Sequence, residues 1–308
     1  MTAGADLEGS VSFPPGSPDR SGVLVLANPT AGGYRRDTLD TLAAELTRRG
    51  IPVTVHLTGR AGEIEDLCSR PDPAVGTVVV AGGDGSVNEA ISGFEKVVKP
   101  PALAVVPFGT ANVLAHELRL PFEATALAGV IGRRRTRPLY YGLANGHPFV
   151  LMVSAGFDAA VVHTVPLTMK RRCGRIAYAW TALRLAFGPR SADLVVTAGG
   201  ERLICRMAVV LKVSRYGGPF IVCPEASASR PELYLFAVTR DDPLAVARMG
   251  LALLAGRFGA GSGIVLRKIT TCTFASEGPV PCQIDGDTFG TVPVEIARAA
   301  RPIEVVVP

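Results

Sequence analysis

The chain has 308 residues, of which 48% are hydrophobic and 19% charged, with 32 Lys and Arg set against 27 Asp and Glu. That balance excludes a disordered chain and leaves room for two domains, each with its own core. The net charge of +5 suits an anionic partner, whereas 6% aromatic residues argue against a surface that stacks nucleic-acid bases, so no nucleic-acid partner is expected.

Met1 to Ser21 crowds Gly, Ser and Pro without apolar periodicity and reads as a disordered N-terminal segment, 1–21, with no signal-peptide pattern. No apolar run reaches the roughly 18 residues of a spanning helix. The best candidate, Leu244 to Phe258, is interrupted by Arg248 and Arg257. A cytoplasmic protein is expected, soluble or peripheral on the inner face of the membrane. Cys68, Cys173, Cys205, Cys223, Cys272 and Cys282 lack C-x-x-C pairing and read as buried free thiols. His56, His116, His147 and His163 have no ligand-like spacing and read as structural.

In chain order, Val23 to Ala27 is an apolar strand, followed by Asn28-Pro29-Thr30-Ala31-Gly32-Gly33 and a helix from Arg36 to Arg49. Ile51 to Leu57 alternates as a second strand. Thr77 to Ala81 is a third, leading through Gly82-Gly83-Asp84-Gly85-Ser86 into a helix over Val87 to Phe94. Leu103 to Val106 is a fourth, leading through Pro107-Phe108-Gly109-Thr110-Ala111-Asn112 into a helix near Val113 to Leu118. This alternation predicts an α/β domain over 22–138, with a parallel sheet and every glycine loop on one rim.

From Leu139 the pattern turns β-rich: Phe149 to Val153, Asp193 to Thr197, Arg206 to Val213, Leu233 to Val238, Ile264 to Phe274 and Pro302 to Val307. Two helical stretches interrupt, Arg171 to Phe187 and Leu244 to Phe258. A β-sandwich domain over 139–308 follows, with a cleft between the domains. The runs Arg133-Arg134-Arg135 with Arg137, and Lys170-Arg171-Arg172 with Arg175, read either as solvated faces or, for the second with Trp180 and Phe187, as a basic amphipathic contact with anionic lipid.

Gly82-Gly83-Asp84-Gly85-Ser86 follows an apolar strand and opens a helix, where glycines allow close backbone approach to a phosphate and the helix terminus offers free N–H groups. An aspartate there repels phosphate unless a divalent cation intervenes, which suggests a metal–nucleotide site. The loop is neither a Walker A motif nor a G-x-G-x-x-G fingerprint. With the Asn28 and Gly109 loops at equivalent positions, three loops on one rim make a nucleotide pocket. Asp285-Gly286-Asp287, read by itself, is a hairpin turn.

Asn28-Pro29-x-x-Gly32, Gly82-Gly83-Asp84-Gly85-Ser86-x-x-Glu89 and Pro107-x-Gly109-Thr110-x-Asn112 together resemble the three signatures of the diacylglycerol kinase catalytic-domain family. That family includes soluble bacterial lipid kinases and the sphingosine and ceramide kinases. The resemblance continues through Gly156-Phe157-Asp158, Gly174 to Tyr178, Gly217-Gly218 with Pro224 and Ala226, and Asp285-Gly286-Asp287, so it covers nearly the whole chain.

The resemblance implies an NAD kinase-like α/β domain, a β-sandwich, and ATP in the cleft. By motif position ATP is held by Gly82, Gly83, Asp84, Gly85, Ser86, Val87, Asn88, Glu89 and Thr110, with Asn28, Gly109 and Asn112 in the adjoining loops and Thr58 as a further contact. Asp84 is expected to organise the Mg²⁺–nucleotide side. Asp287, with Asp285, matches the family's Asp-Gly-Glu, whose acidic residues are the proposed base for a lipid hydroxyl, an assignment that leaves the two open. Val113 and Tyr140 stand where the family commonly has acidic residues linked to metal-ordered water. Bacterial members often hold a structural Mg²⁺ with an Asp-containing stretch after a Pro-x-Ala pattern. Here Pro224-Glu225-Ala226 is followed by Ser227-Ala228-Ser229-Arg230-Pro231, without aspartate, so no structural metal is expected and Mg²⁺ is required only with ATP.

The function expected is an ATP-dependent lipid kinase acting on a hydroxyl of a diacylglycerol-like or sphingoid lipid at a membrane surface. Its rivals are an NAD kinase-like enzyme and a catalytically weak nucleotide- or lipid-binding protein.

Overall fold

The structure is a computed structural model that describes residues 20–165, 180–182, 184–185, 187, 192–217, 220–240, 242–254 and 263–308. The disorder expected for 1–21 falls almost entirely outside these residues, as do Cys173 and most of the helix expected over Arg171 to Phe187.

The elements run β1 (Gly22–Ala27), α1 (Arg36–Arg48), β2 (Val53–Leu57), α2 (Glu63–Ser69), β3 (Val75–Gly82), α3 (Asp84–Glu95), β4 (Ala102–Pro107), α4 (Val113–Glu117), α5 (Ala124–Arg133) and β5 (Thr136–Leu139). There follow β6 (Gly142–Ala144), β7 (His147–Phe149), β8 (Met152–Gly156), α6 (Phe157–Thr164), β9 (Leu194–Ala198), β10 (Glu201–Cys205), β11 (Met207–Leu211), β12 (Arg215–Tyr216) and β13 (Phe220–Ile221). The chain ends with β14 (Leu233–Val238), α7 (Pro243–Leu254), β15 (Ile264–Ile269), β16 (Thr271–Ala275), β17 (Pro281–Ile284), β18 (Asp287–Thr291), β19 (Val294–Arg298) and β20 (Ile303–Val306).

Strand β1 is buried along its whole length, as a central parallel strand must be, and it pairs in parallel with β2 and β3. Edge strand β2 is half-exposed, which is why its sequence alternates. Helix α1 buries Leu39, Leu42 and Leu46 on one face. Helix α5 is capped by Glu123, whose carboxylate accepts from the N–H groups of Thr125 (2.8 Å) and Ala126 (2.6 Å).

The full sheet order is β2-β1-β3-β4-β20-β5. The last strand, expected in the β domain, is instead inserted here, parallel to β4 and antiparallel to β5. This sheet therefore joins β1 to β5 with the chain's final strand, and it is parallel except at the β5 edge. The arginine run after α5 secures this closure: Arg134 donates to the Ser21 carbonyl (2.5 Å) and Arg135 to that of Pro308 (3.5 Å).

The second unit is two six-stranded sheets, β10-β9-β16-β19-β6-β7 and β15-β14-β11-β8-β17-β18. Alternation decides what each side chain meets. On β8, β11 and β14 the residues Val153, Ala155, Ala208, Val210, Leu233 and Leu235 fill the space between the sheets. Their neighbours Met152, Val209, Leu211 and Phe236 join the core continuous with the first domain. The β8–β11–β14 sheet is thus the wall shared by both cores. Cys68, Cys205, Cys223, Cys272 and Cys282 are buried free thiols, and burial pushes the pKa of each up, with Cys223 at about 11 and the others at about 12.

Candidate active site

Three loops meet at the carboxyl ends of β1, β3 and β4, the edge where open α/β sheets bind ligands. The Gly33 N–H donates to the Phe108 carbonyl (2.7 Å), the Phe108 N–H to the Gly82 carbonyl (2.9 Å), and Asn28 Nδ2 to Ser86 Oγ (3.4 Å). A Cβ on Gly109 would lie 2.6 Å from Gly83 Cα, so the second and third loops touch backbone to backbone and only glycine fits. Asn112, at φ +47°, closes its loop by accepting from the Gly109 N–H (2.8 Å) and donating to the Gly109 carbonyl (2.8 Å). The Thr110 side chain is exposed on this rim. Helix α3, twelve residues long, starts at Asp84, so the N–H groups of its first turn face the same space.

Asp84 is held by two backbone donors. Its Oδ2 accepts from the Val113 N–H (3.0 Å) and its Oδ1 from the Leu114 N–H (3.2 Å). Burial pushes its pKa up, and these two donors oppose the shift. Asp84 therefore caps α4 and fixes the third loop against the second, and both its oxygens are already engaged. The other expected nucleotide contacts also divide. Val87 is buried in the core. Asn88 Nδ2 donates to the Pro148 carbonyl (2.8 Å) and to Asp285 (2.9 Å), across the domain boundary. Glu89, its pKa raised by burial and held back by the nearby N–H groups of Gly62 and Ile64, lies beside the start of α2. Thr58 is buried at the end of β2, its hydroxyl donating to the Ala27 carbonyl (3.3 Å). Asn28, Gly83, Gly85, Gly109 and Asn112 are partly exposed and Thr110 exposed, whereas Gly82 and Ser86 are buried.

Asp285-Gly286-Asp287, expected on the acceptor side, lies in the β17–β18 hairpin. Ile284 pairs with Asp287, and Asp285 and Gly286 between them have φ of +51° and +93°, the signature of a tight turn with two left-handed residues. Asp285 accepts four N–H groups: Val150 (2.8 Å) and Asn88 (2.9 Å) on Oδ2, Leu151 and Met152 (both 2.9 Å) on Oδ1. Burial pushes its pKa up to about 6 against those donors, so it remains ionised at neutral pH. Its lone pairs are spent on joining α3 to the start of β8. Asp287 is exposed, and its Oδ2 lies 2.8 Å from where a Cβ on Gly85 would stand. The Asp287 carboxylate thus rests on the Gly82–Ser86 loop.

Beneath the turn lies a polar network that the motifs did not single out as a unit. Gln283, only 1% exposed, accepts from the Gly286 N–H (2.7 Å) and donates to Ser154 Oγ (2.9 Å) and Asp158 Oδ2 (3.2 Å). Ser154 and Tyr216 also donate their hydroxyls to Asp158. A glutamine between the inward-facing Cys282 and Ile284 was the sequence signal for it. Val113 is buried, and Tyr140 donates its N–H to the Ala228 carbonyl (2.8 Å); neither brings a carboxylate to the rim.

Residues 22–144 match the diacylglycerol kinase catalytic domain, and residues 151–307 match the YegS C-terminal NAD kinase beta sandwich-like domain. The chain belongs to the diacylglycerol kinase catalytic-domain family. Among its relatives, the diacylglycerol kinase of Bacillus subtilis (strain 168) is 23% identical over 92% of this chain and 95% of its own length. That of Staphylococcus haemolyticus (strain JCSC1435) is 23% identical over 92% of this chain and 87% of its own. The crystal structure of a diacylglycerol kinase from Bacillus anthracis str. Sterne superimposes with a TM-score of 0.71 at 18% identity, covering 94% of this chain and 97% of that one. As a member of this kinase family the chain is a phosphotransferase with the two-domain fold expected of it. Among the described residues, no helix is long and apolar enough to cross a membrane.

Proposed function

We propose that this family member transfers the γ-phosphate of ATP to a hydroxyl of a diacylglycerol-like or sphingoid lipid, with Asp287 as the base. The observation that carries the reading is the contact of Asp287 with Gly85, which sets an exposed carboxylate beside the nucleotide loop. A primary alcohol is a weak nucleophile, and a carboxylate at this point can take its proton as it attacks phosphorus. Asp285 does not compete for the role, because its oxygens already accept four N–H groups.

The glycine loops and the first turn of α3 bind the phosphates through backbone N–H groups. Mg²⁺ bound with the nucleotide supplies positive charge beside the phosphates. Among the described residues no group of three or more His, Cys, Asp or Glu could hold a metal, and Asp84 is engaged with α4, so that ion's ligands come chiefly from the nucleotide.

The lipid is met at a membrane surface through apolar side chains of the second domain. Leu244, Ala247, Arg248 and Leu251 form one exposed face of α7 at helical spacing, and Trp180 and Phe187 are 61% and 74% exposed. The test is radiolabelled ATP with vesicles or mixed micelles carrying diacylglycerol, ceramide, sphingosine or phosphatidylglycerol, and with NAD in solution. Label in one of the lipids supports the reading. Label in NAD alone, or none at all, overturns it.

A further inference from the structure

Lys212 follows β11 directly, and its side chain is completely buried. Lysine is almost never fully buried unless its charge is satisfied. Its Nζ donates to three backbone carbonyls, Ser227 (2.6 Å), Arg230 (2.6 Å) and Glu232 (3.3 Å). An ammonium has three N–H bonds, so its donors match the three acceptors one to one. All three carbonyls belong to the stretch that follows Pro224-Glu225-Ala226, the stretch in which the family resemblance implies a structural Mg²⁺.

The donor set there does not fit that ion. Mg²⁺ needs about six oxygens in an octahedron at about 2.0–2.1 Å, normally with a carboxylate among them. Here three neutral carbonyls converge, no aspartate lies between Pro224 and Pro231, and the centre is filled by nitrogen at hydrogen-bonding distance. Arg230 lies in the same turn and donates to the Glu225 carbonyl (2.7 Å), adding a second fixed positive charge. We infer that the Lys212 ammonium is the resident cation of the 227–232 turn, taking the place of a divalent ion, so that this fold needs no structural metal.

Burial pulls the Lys212 pKa down to about 8, and the carboxylates of Glu232 and Glu117 oppose that, so the amine is charged at neutral pH. The turn it holds reaches both domains. The Ala228 carbonyl accepts from the Tyr140 N–H (2.8 Å), where the chain crosses between them, and Ala226 and Ala228 are buried in the core continuous with the first domain. Two residues after Lys212, the Ser214 hydroxyl donates to Glu117 (2.6 Å), the last residue of α4. A tethered cation therefore fastens the turn against the helix that closes the nucleotide rim. This inference does not depend on which lipid is the acceptor.

The test is a thermal melt of the full chain without nucleotide, with EDTA and with millimolar Mg²⁺, beside the same melt of Lys212→Met. The wild type should melt at the same temperature in both, and Lys212→Met, which keeps the length but takes the ammonium donor from three inward-facing carbonyls, of which Ser227 keeps the Arg230 N–H (3.2 Å), should melt on the order of 10 °C lower. If Lys212→Met fails to fold, the wild-type melts still decide. A wild-type Tm that falls with EDTA or rises with Mg²⁺ overturns the inference. So does a Lys212→Met protein as stable as the wild type.

Discussion

Asn88 Nδ2 donates to Asp285 Oδ2 at 2.9 Å, and this bond joins the helix behind the Gly82–Ser86 loop to the turn that carries Asp287, the proposed base. Asp285 also gathers the N–H groups of Val150, Leu151 and Met152, so one carboxylate sets α3, the entry to β8 and the β17–β18 hairpin in register. Asn88→Ala should leave ATP binding nearly intact and lower turnover roughly tenfold to a hundredfold, because misplacing a reacting group by an ångström has that effect. Separate measurement of ATP Kd and kcat checks it.

The same carboxylate gives a pH signature. Its pKa rises from the ordinary 3.8 to about 6 in the folded chain. A raised carboxyl pKa means that the folded state holds the proton more tightly than the unfolded one. The stability it contributes is present below pH 3.8 and lost as pH rises through 6. The wild-type Tm minus the Asp285→Asn Tm should therefore increase as pH falls from about 7 to about 4, by at most on the order of 3 kcal/mol in stability. Differential scanning calorimetry of both proteins across that range reads it directly, and a flat difference would show that Asp285 titrates alike in both states.

Gly85→Ala places a methyl 2.8 Å from Asp287 Oδ2. The carboxylate must swing away, and since Gly85 is not among the glycines with positive φ, the backbone itself tolerates the change. Turnover should fall by about a hundredfold with the Tm moved by less than roughly 2 °C. A large loss of Tm would mean that the contact is part of the packing instead.

Much of this was legible in the residues. The repeated strand–glycine loop–helix pattern specified β1, β3, β4 and their shared rim, because a parallel strand covered on both faces must be apolar throughout. The destination of Ile303–Val306 was not legible: a short apolar strand carries no mark of which sheet it joins, and pairing with β4 and β5 is decided by tertiary closure. Ile264 to Phe274 read as one strand but forms β15 and β16 in different sheets, with the chain bending at Thr270 between them. At the site, motif membership identified Asp84, Asn88, Glu89 and Asp285 without revealing that each points at backbone groups or at another side chain. A motif records that a residue is needed at a position, whereas its hydrogen-bond partners depend on chain segments far away in sequence. Lys212 had no motif at all, and its three carbonyls lie 15, 18 and 20 residues further along.

Asp84→Asn now carries a different expectation from that of a residue facing metal. One amide oxygen cannot accept both the Val113 and Leu114 N–H groups in the present geometry, and the amide NH₂ would oppose one of them. The variant should lose on the order of 1–2 kcal/mol of stability, as a lost helix cap does, together with most of its turnover as the Gly109–Asn112 loop loosens. Urea unfolding beside ATP Kd separates this from a direct metal role, which would spare stability and change only the Mg²⁺ dependence.

Asp287→Asn is the sharpest test of the acceptor side. The amide keeps the shape of the side chain and its place over Gly85 but cannot take a proton from an alcohol. Turnover should fall by roughly 10² to 10⁴, the range for a lost general base, while ATP Kd and Tm stay near wild type. Asp285→Asn, in contrast, should lower both turnover and Tm, because one amide oxygen replaces two and its NH₂ opposes two of the four N–H groups that Asp285 accepts. The pair of variants therefore separates chemistry from positioning by stability alone. If Asp287→Asn turns over normally while Asp285→Asn is inactive yet fully stable, the roles are reversed, and Asp285 must release some of its four donors when substrate binds.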